Sequence, residues 1–267
     1  MQKKQWQTAL KNLPLGQQHY FAQVGSTNDI AAKLLDADAP HLSLVLADEQ
    51  VKGRGRNGRS WTTTGGAALA FSVILLPKDD PITAQTLGRV SGLGGIAVCL
   101  ALQKHYSLPA AVKWPNDVLL NGKKVAGVLA EAHWRADRLQ GVVLGIGINV
   151  LPASVPPARD LNFPATSVAA EYGATVSRPE LLAHVLTEVI NWYSLLNSDN
   201  LLKTWEANLA FRGEQVYLDA RDGTHVEGRV LGLNPDGSLR LGTGPGETHT
   251  FRIGEIRLRA SINLPVS

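Results

Sequence analysis

The spacing of apolar and polar positions changes several times along the chain, and each change marks an element. Residues 18–24 (Gln-His-Tyr-Phe-Ala-Gln-Val) read as a short strand, and Gly25-Ser26-Thr27-Asn28 then turns into a helical stretch over Asp29–Asp36. Ser or Thr at the start of that helix would satisfy free N–H groups of its first turn. His41–Ala47 and Leu69–Leu76 are strongly apolar and predict two strands. Between them lies Asp48–Gly66, a loop rich in Gly, Arg and Thr. Thr83–Tyr106 is the longest helical candidate, with Leu87, Val90, Ala97 and Ala101 recurring at helical spacing. Gly92, Gly94 and Gly95 fall inside it, each at a cost of about 1 kcal/mol. They point to close packing against another element. Cys99, in the same segment, reads as a buried core thiol.

Ala111–Trp114 and Asp117–Leu120 predict short strands on either side of Trp114-Pro115-Asn116. Asn121-Gly122 is a two-residue hairpin signal. Lys123–His133 and Gln140–Val150 follow as strands, so this region predicts an antiparallel meander. Leu151–Pro164 is rich in proline, which argues against regular structure, and loops of such length are usually functional. Helices are expected at Thr166–Tyr172, Arg178–Asn197 and Leu201–Asn208. The pattern changes after Arg212. Gly213–Arg259 alternates apolar and polar residues in short runs broken by Asp222-Gly223, Asp236-Gly237 and Gly244-Pro245-Gly246, which predicts a small all-β module. The expected organisation is an α+β domain over residues 1–211 and a β domain over 212–267.

With 267 residues, 44% hydrophobic and 18% charged, the composition excludes disorder and low complexity as the main architecture. The single cysteine excludes an intrachain disulfide and a cysteine zinc cluster, and suits a reducing compartment. No apolar run approaches the roughly 20 residues of a membrane helix, and the first residues lack the apolar stretch of a secretory signal. The expectation is a cytoplasmic protein with no membrane partner. A net charge of +3 is a weak nucleic-acid signal over this length, so the clustering of the cations decides its meaning.

They cluster in Gly53-Arg54-Gly55-Arg56-Asn57-Gly58-Arg59. This stretch contains G-x-G-x-x-G, but no helix-forming segment follows it and no acid lies at the expected distance, so the dinucleotide reading fails. Glycines let backbone N–H groups approach a ligand, and arginine forks suit phosphate or carboxylate oxygens. A solvated basic loop is the plain alternative. A second group is Lys113-Trp114-Pro115-Asn116-Asp117. Lys113 there is either a surface residue with its stem laid on apolar neighbours or a placed cation. Asp117 alone makes no metal cage, although Mg²⁺ carried by a nucleotide needs only one or two carboxylates. The third group is Gly145-Ile146-Gly147-Ile148-Asn149, where alternation puts both glycines on one strand face and leaves room there. Asn149 ends the strand, either as a turn residue or as a hydrogen-bonding group for a base or hydroxyl. Walker A, G-x-S-x-G and H-E-x-x-H patterns are absent, so an activity here rests on positioning and charge stabilisation.

Taken together, the motifs resemble the biotin protein ligases, also called biotin–[acetyl-CoA-carboxylase] ligases. The resemblance is carried, in the family's order, by Ser26-Thr27-Asn28, Gln50 with Gly53–Trp61, Lys113–Asp117, Lys124–Glu131 and Gly145–Asn149. It implies a class II synthetase-like core, with a mixed, largely antiparallel sheet packed against helices, followed by a small SH3-like β-barrel. It implies a two-step reaction. Biotin and MgATP give biotinyl-5′-AMP and pyrophosphate, and a lysine of the apo biotin carboxyl carrier protein then takes the biotinyl group and releases AMP.

The resemblance also implies roles. Ser26, Thr27 and Gln50 hold the biotin head group and ring, with Asn28 beside them, and Gly127 lets the backbone come close. Gly53, Arg54, Gly55 and Arg56 form the ligand-enclosing loop, and Trp61 packs over the ligand as an apolar wall. Arg54, Arg56 and Lys113 neutralise the charge that gathers when a carboxylate attacks a phosphate, with Arg56 and Lys113 expected to be catalytic. Asn149 sits near the adenylate, and Leu151–Pro164 closes over the adenine. No metal ligand is assigned. Position 57 is Asn where many members carry Arg, with a modest effect expected. Some relatives carry an N-terminal helix-turn-helix; only residues 1–25 precede Ser26 here, so no repressor activity and no nucleic-acid partner are expected. Family members often pair through sheet edges, so a homodimer is compatible with the resemblance. The competing readings are a lipoate–protein ligase and a nucleic-acid-binding module using the same loop.

Overall fold

A computed structural model describes residues 3–61, 63–77, 82–83, 86–157, 163–220, 225–252 and 256–260. The apolar segments of the first half pair into one sheet. Its strands are β1 (Gln18–Val24), β2 (Leu44–Gln50), β3 (Ala68–Leu75), β4 (Ala110–Lys113), β5 (Asp117–Leu120), β6 (Lys123–Arg135) and β7 (Arg138–Asn149). They lie in the order β1-β2-β3-β7-β6-β5-β4. Only β1 and β2 run parallel; the other neighbours are antiparallel, and β4 to β7 form the expected meander. At the hairpin between β5 and β6, Asn121 and Gly122 take φ values of 48° and 73°, which the two-residue turn requires.

β3 is buried along its whole length because both sheet faces are covered, which is why its sequence shows no alternation. One face packs under α2 (Thr27–Asp36) through Ala31, Leu35, Val45, Ile74 and Val143. The other packs on α3 (Arg89–Tyr106) and α5 (Arg178–Tyr193), with Leu93, Ile96, Leu144, Ile146 and Val185 in the larger core. The glycines of α3 do permit close approach. A Cβ at Gly92 would lie 2.2 Å from the Trp205 ring, one at Gly94 2.8 Å from Val128, and one at Gly95 3.0 Å from Val112. Cys99 is buried, and desolvation pushes its thiol up to about 12.

Several boundaries differ from the sequence reading, each for a local reason. β2 starts at Leu44 because Leu42 takes a left-handed φ of 59°, which breaks the extended run that His41 would have begun. α3 starts at Arg89: before it, Thr86 N–H bonds to Thr83 O, and residues 86–88 form a turn closed by Arg89 N–H to Thr86 O; residues 84 and 85 lie outside the described residues. α5 ends at Tyr193, and the chain to Ser198 continues in tight turns. α2 starts at Thr27; Ser26 stands at its cap with extended backbone, but its side chain makes no capping bond. Leu151–Pro164 is not wholly irregular, since Pro152–Ser154 forms a 3₁₀ turn; residues 158–162 lie outside the described residues. One helix was not expected. α1 (Lys3–Leu10) shows only two buried anchors, Trp6 and Leu10, and Trp6 packs beneath the Arg178 guanidinium at 5.6 Å.

After α4 (Val168–Tyr172) and α6 (Asp199–Ala207), the chain builds a five-stranded antiparallel sheet. It comprises β8 (Gln215–Ala220), β9 (His225–Leu233), β10 (Leu239–Gly244), β11 (Glu247–Phe251) and β12 (Ile256–Ala260), in the order β11-β10-β9-β8-β12. Residues 221–224, 253–255 and 261–267 of this region lie outside the described residues. Its β9–β10 turn is pinned to the first sheet and its helices. Trp114 Nε1 donates to Gly237 O at 3.0 Å, and the buried Arg89 donates to Pro235 O at 2.6 Å and to Leu196 O at 2.9 Å. Among the described residues, no helix is long and apolar enough to cross a membrane.

Candidate active site

A cleft of about 820 Å³ gathers residues from distant parts of the chain. Ser26, Thr27 and Asn28 come from the start of α2, Gln50 from the end of β2, and Arg54 to Arg56 and Gly58 to Trp61 from the Gly-Arg loop. Lys113 to Asp117 join β4 to β5, Gly127 lies on β6, and Gly145, Gly147 and Asn149 lie on β7. The segment Ala153–Pro157 and Phe163 complete the wall. The arrangement follows from the meander. β6 pairs Gly127 with Gly147 of β7 and with Asp117 of β5, so three motifs far apart in sequence share one sheet region.

The inner end is a hydrogen-bonded floor. Thr27 donates to Gln50 Oε1 from its N–H at 2.7 Å and from its hydroxyl at 3.0 Å. Ser72 Oγ lies 2.8 Å from Thr27 Oγ1 and donates to Asn28 Oδ1 at 2.6 Å. Asn28 donates in turn to Glu131 Oε2 at 2.6 Å. The missing side chains on β7 make this possible: a Cβ at Gly145 would lie 2.1 Å from Asn28 Oδ1, and one at Gly147 2.3 Å from the Trp61 ring. Gly127 adds to the same trough, since a Cβ there would lie 3.3 Å from both Trp61 and Lys124 Nζ.

The other part of the cleft is cationic. Arg56, Arg59, Lys113 and Lys124 line it, and among the described residues Asp117 is the carboxylate that lines the cleft with them. Lys113 is 9% exposed, so it is a placed cation and not a surface lysine. Its Nζ lies 3.9 Å from Asp117 Oδ2 and 4.1 Å from the centre of the Phe163 ring. Lys124 Nζ lies 2.6 Å from Asp117 Oδ1 and 5.6 Å from the Trp61 ring. Burial pushes the Asp117 carboxyl up, but Lys124, Lys113 and Arg59 outweigh it and hold the group below its ordinary value. Arg56 Nη1 donates to Asn116 Oδ1 at 3.0 Å, and Asn116 is itself fixed by donating to Val128 O at 2.7 Å.

Of the residues singled out from the sequence, Ser26, Thr27, Asn28, Gln50, Arg54, Gly55, Arg56, Trp61, Lys113, Gly127 and Asn149 line the cleft. Gly53 does not. It lets the loop close on itself, because a Cβ there would lie 2.3 Å from Trp61 O. Arg54 lines the cleft, but its fork is engaged by Asp29 Oδ1 at 2.5 Å and Glu131 at 2.9 and 3.0 Å. Burial lowers the Arg54 pKa, and these two carboxylates more than reverse that. Asn149 is 4% exposed and donates to Thr166 O at 3.1 Å. Sequence reasoning assigned no role to Asn116, Lys124 or Glu131, and gave Arg59 only a share in the loop's anion-binding forks. Asn116, Lys124 and Glu131 do stand in the motifs, but which atoms they meet depends on strand pairing.

Comparison with known proteins agrees with this arrangement. Residues 20–149 match the Biotin/lipoate A/B protein ligase family model. The chain is 35% identical over 246 residues to the biotin–[acetyl-CoA-carboxylase] ligase of Paracoccus denitrificans, covering 88% of this chain and 98% of that protein. It is 32% identical over 241 residues to the bifunctional ligase/repressor BirA of Bacillus subtilis, covering 89% of this chain and 73% of that protein. Its fold matches a biotin protein ligase from Aquifex aeolicus, solved in complex with biotin and ATP, with a TM-score of 0.76 and 28% identity over 92% of this chain and 99% of that one. The extent of these matches means that the chain belongs to the biotin protein ligase family.

Proposed function

We propose that this protein is a biotin–[acetyl-CoA-carboxylase] ligase, which activates biotin with ATP and passes it to the carrier protein's lysine. The observation that carries the reading is the polarity of the cleft. Arg56, Arg59, Lys113 and Lys124 gather with Asp117 at one part of it, and a trough cut by Gly127, Gly145 and Gly147 lies beside them. That suits a ligand with a compact neutral end and an anionic end. In the first step a biotin carboxylate oxygen attacks the α-phosphorus of ATP and pyrophosphate leaves. Arg56 and Lys113 are proposed to lower the repulsion between these anions, because their charges are fixed before the reaction begins. Asp117 orients Lys113 and Lys124. In the second step the carrier lysine amine attacks the acyl carbon and AMP leaves.

Ser26, Thr27, Asn28 and Gln50 are proposed to form the biotin end, with Trp61 as its wall and Asn149 near the nucleotide. Residues 1–211 are proposed as the catalytic domain and 212–267 as a separate small domain. Among the described residues the side chains do not fit a resident divalent cation: Asp117 is the carboxylate lining the cleft, and two lysines already hold it. Mg²⁺ is therefore proposed to arrive as part of the nucleotide substrate.

The test mixes protein, biotin, MgATP and an apo carrier domain, following ATP–pyrophosphate exchange and biotin on the carrier. Exchange and transfer with biotin are expected. Exchange with lipoate in place of biotin would show the family's other substrate class, and no exchange with either would sink the activity.

A further inference from the structure

Arg54 sits in the Gly-Arg loop, yet both carboxylates that hold it lie on other elements: Asp29 on α2 and Glu131 on β6. Glu131 Oε2 is shared. It accepts from Arg54 Nη2 at 2.9 Å and from the buried Asn28 Nδ2 at 2.6 Å. Asn28 in turn is seated against Gly145 and linked through Ser72 to Thr27 and Gln50. An unbroken chain of polar contacts thus runs from the loop to the floor of the cleft. A guanidinium that meets carboxylates on two sides leaves few donors for a ligand anion.

We propose that Glu131 is a positioning residue which, with Asp29, clasps Arg54 and holds the Gly-Arg loop down over the biotin end of the cleft. Arg54 is then a strut of the closed loop, and charge neutralisation at the reacting phosphate falls to Arg56 and Lys113. The clasp rests on the proposed ligase reading for what the loop encloses. It acts on retention of the ligand and not on the bond-making step. Such ion pairs are partly exposed and individually weak, so loss of the clasp should loosen the loop without unfolding the protein.

Two readouts test it. The first is limited trypsin cleavage after Arg56 and Arg59 in the ligand-free full chain, followed by intact mass. Glu131→Ala should speed it about five-fold, Glu131→Gln less, and Asp29→Asn about two-fold. The second is release of preformed biotinyl adenylate. Glu131→Ala should raise the release rate and the KM for biotin about five-fold, with kcat for pyrophosphate exchange within about two-fold. Arg54→Ala should behave alike in release, and the Glu131→Ala/Arg54→Ala double variant should be no worse than either single. Effects that multiply, or a fall in kcat with unchanged release, overturn the clasp. Asp29→Asn changes a half-exposed carboxylate, so it decides the question even if Glu131→Ala does not fold: unchanged cleavage in Asp29→Asn and Glu131→Gln overturns the proposal. Cleavage is read without ligand, so wild-type protein lacking exchange would count against the activity and not against the clasp.

Discussion

Asn116 shows what a single side chain decides in this cleft. Its amide nitrogen is anchored on Val128 O and its oxygen accepts from Arg56, so the arginine's direction is set by a neutral neighbour. Arg56→Ala should let biotinyl adenylate escape faster, and Asn116→Ala should reproduce part of that effect, about ten-fold in release rate, because one hydrogen bond to a charged group is lost. Stopped-flow release measurements check this; an Asn116→Ala variant that retains adenylate as the wild type does would show that Arg56 needs no such support. Lys113→Ala should lose the first step more severely, about 100-fold in exchange rate, since a preorganised cation is removed from a water-poor site. Asp117 gives a pH prediction. Its folded pKa is lowered from 3.8 by its cationic partners, so the unfolded chain binds the proton more readily. The stability it contributes is therefore fully present above its ordinary value and disappears as pH falls through the lowered one. Asp117→Asn should flatten this part of the acid limb, as read from urea midpoints across pH 2–6 (about the range in which a carboxylate titrates). Parallel acid limbs for wild type and variant would rule the effect out.

Helices and strands carry their own constraints. α3 needs Gly92 because the Trp205 ring of α6 occupies the position a Cβ would take. Gly92→Ala should cost about 1–3 kcal/mol by overpacking, despite the better helix propensity of alanine. Equilibrium denaturation measures it, and a stabilised variant would mean that Trp205 moves aside freely. The elements were legible in the sequence to different degrees. β1, β5 and the Asn121-Gly122 hairpin have local signals, a short alternating or apolar run closed by turn residues, and their ends agree with the structure. α1 was not legible, because a helix with two apolar anchors owes its existence to the surface it docks on, here α5 and Arg178. The start of β2 was missed because one left-handed residue, Leu42, ends extension without any glycine or proline to announce it.

Across the whole molecule, the two sheets are tied through a turn. Trp114, within the Lys113–Asp117 motif, donates to Gly237 of the β9–β10 turn, and Arg89 reaches Pro235 from α3. Burial lowers the Arg89 pKa, with Asp199 and Asp236 opposing that shift. Trp114→Phe keeps the apolar ring but removes this hydrogen bond and leaves Gly237 O without it. The expected loss is about 1–3 kcal/mol, measured by thermal unfolding of the full chain. A Tm equal to that of the wild type would indicate that the turn is held by packing alone. The amino-acid sequence by itself determined which residue types could carry the chemistry. The Gly-Arg loop, the Lys113–Asp117 motif and the alternating glycines of β7 are local patterns, and their order along the chain already singled out the family. Tertiary structure decided which of those residues line the cleft and which hold the others. The sequence reads Arg54 as a ligand cation, and the fold engages it with Asp29 and Glu131; it reads Gly53 as part of the ligand-enclosing loop, and the fold uses it to let that loop fold back on itself. Lys113 was ambiguous between surface and site until burial placed it. The reason is physical. A motif specifies donors and charges, but their partners come from strands and helices distant in sequence, and only the paired sheet brings those partners within hydrogen-bonding distance.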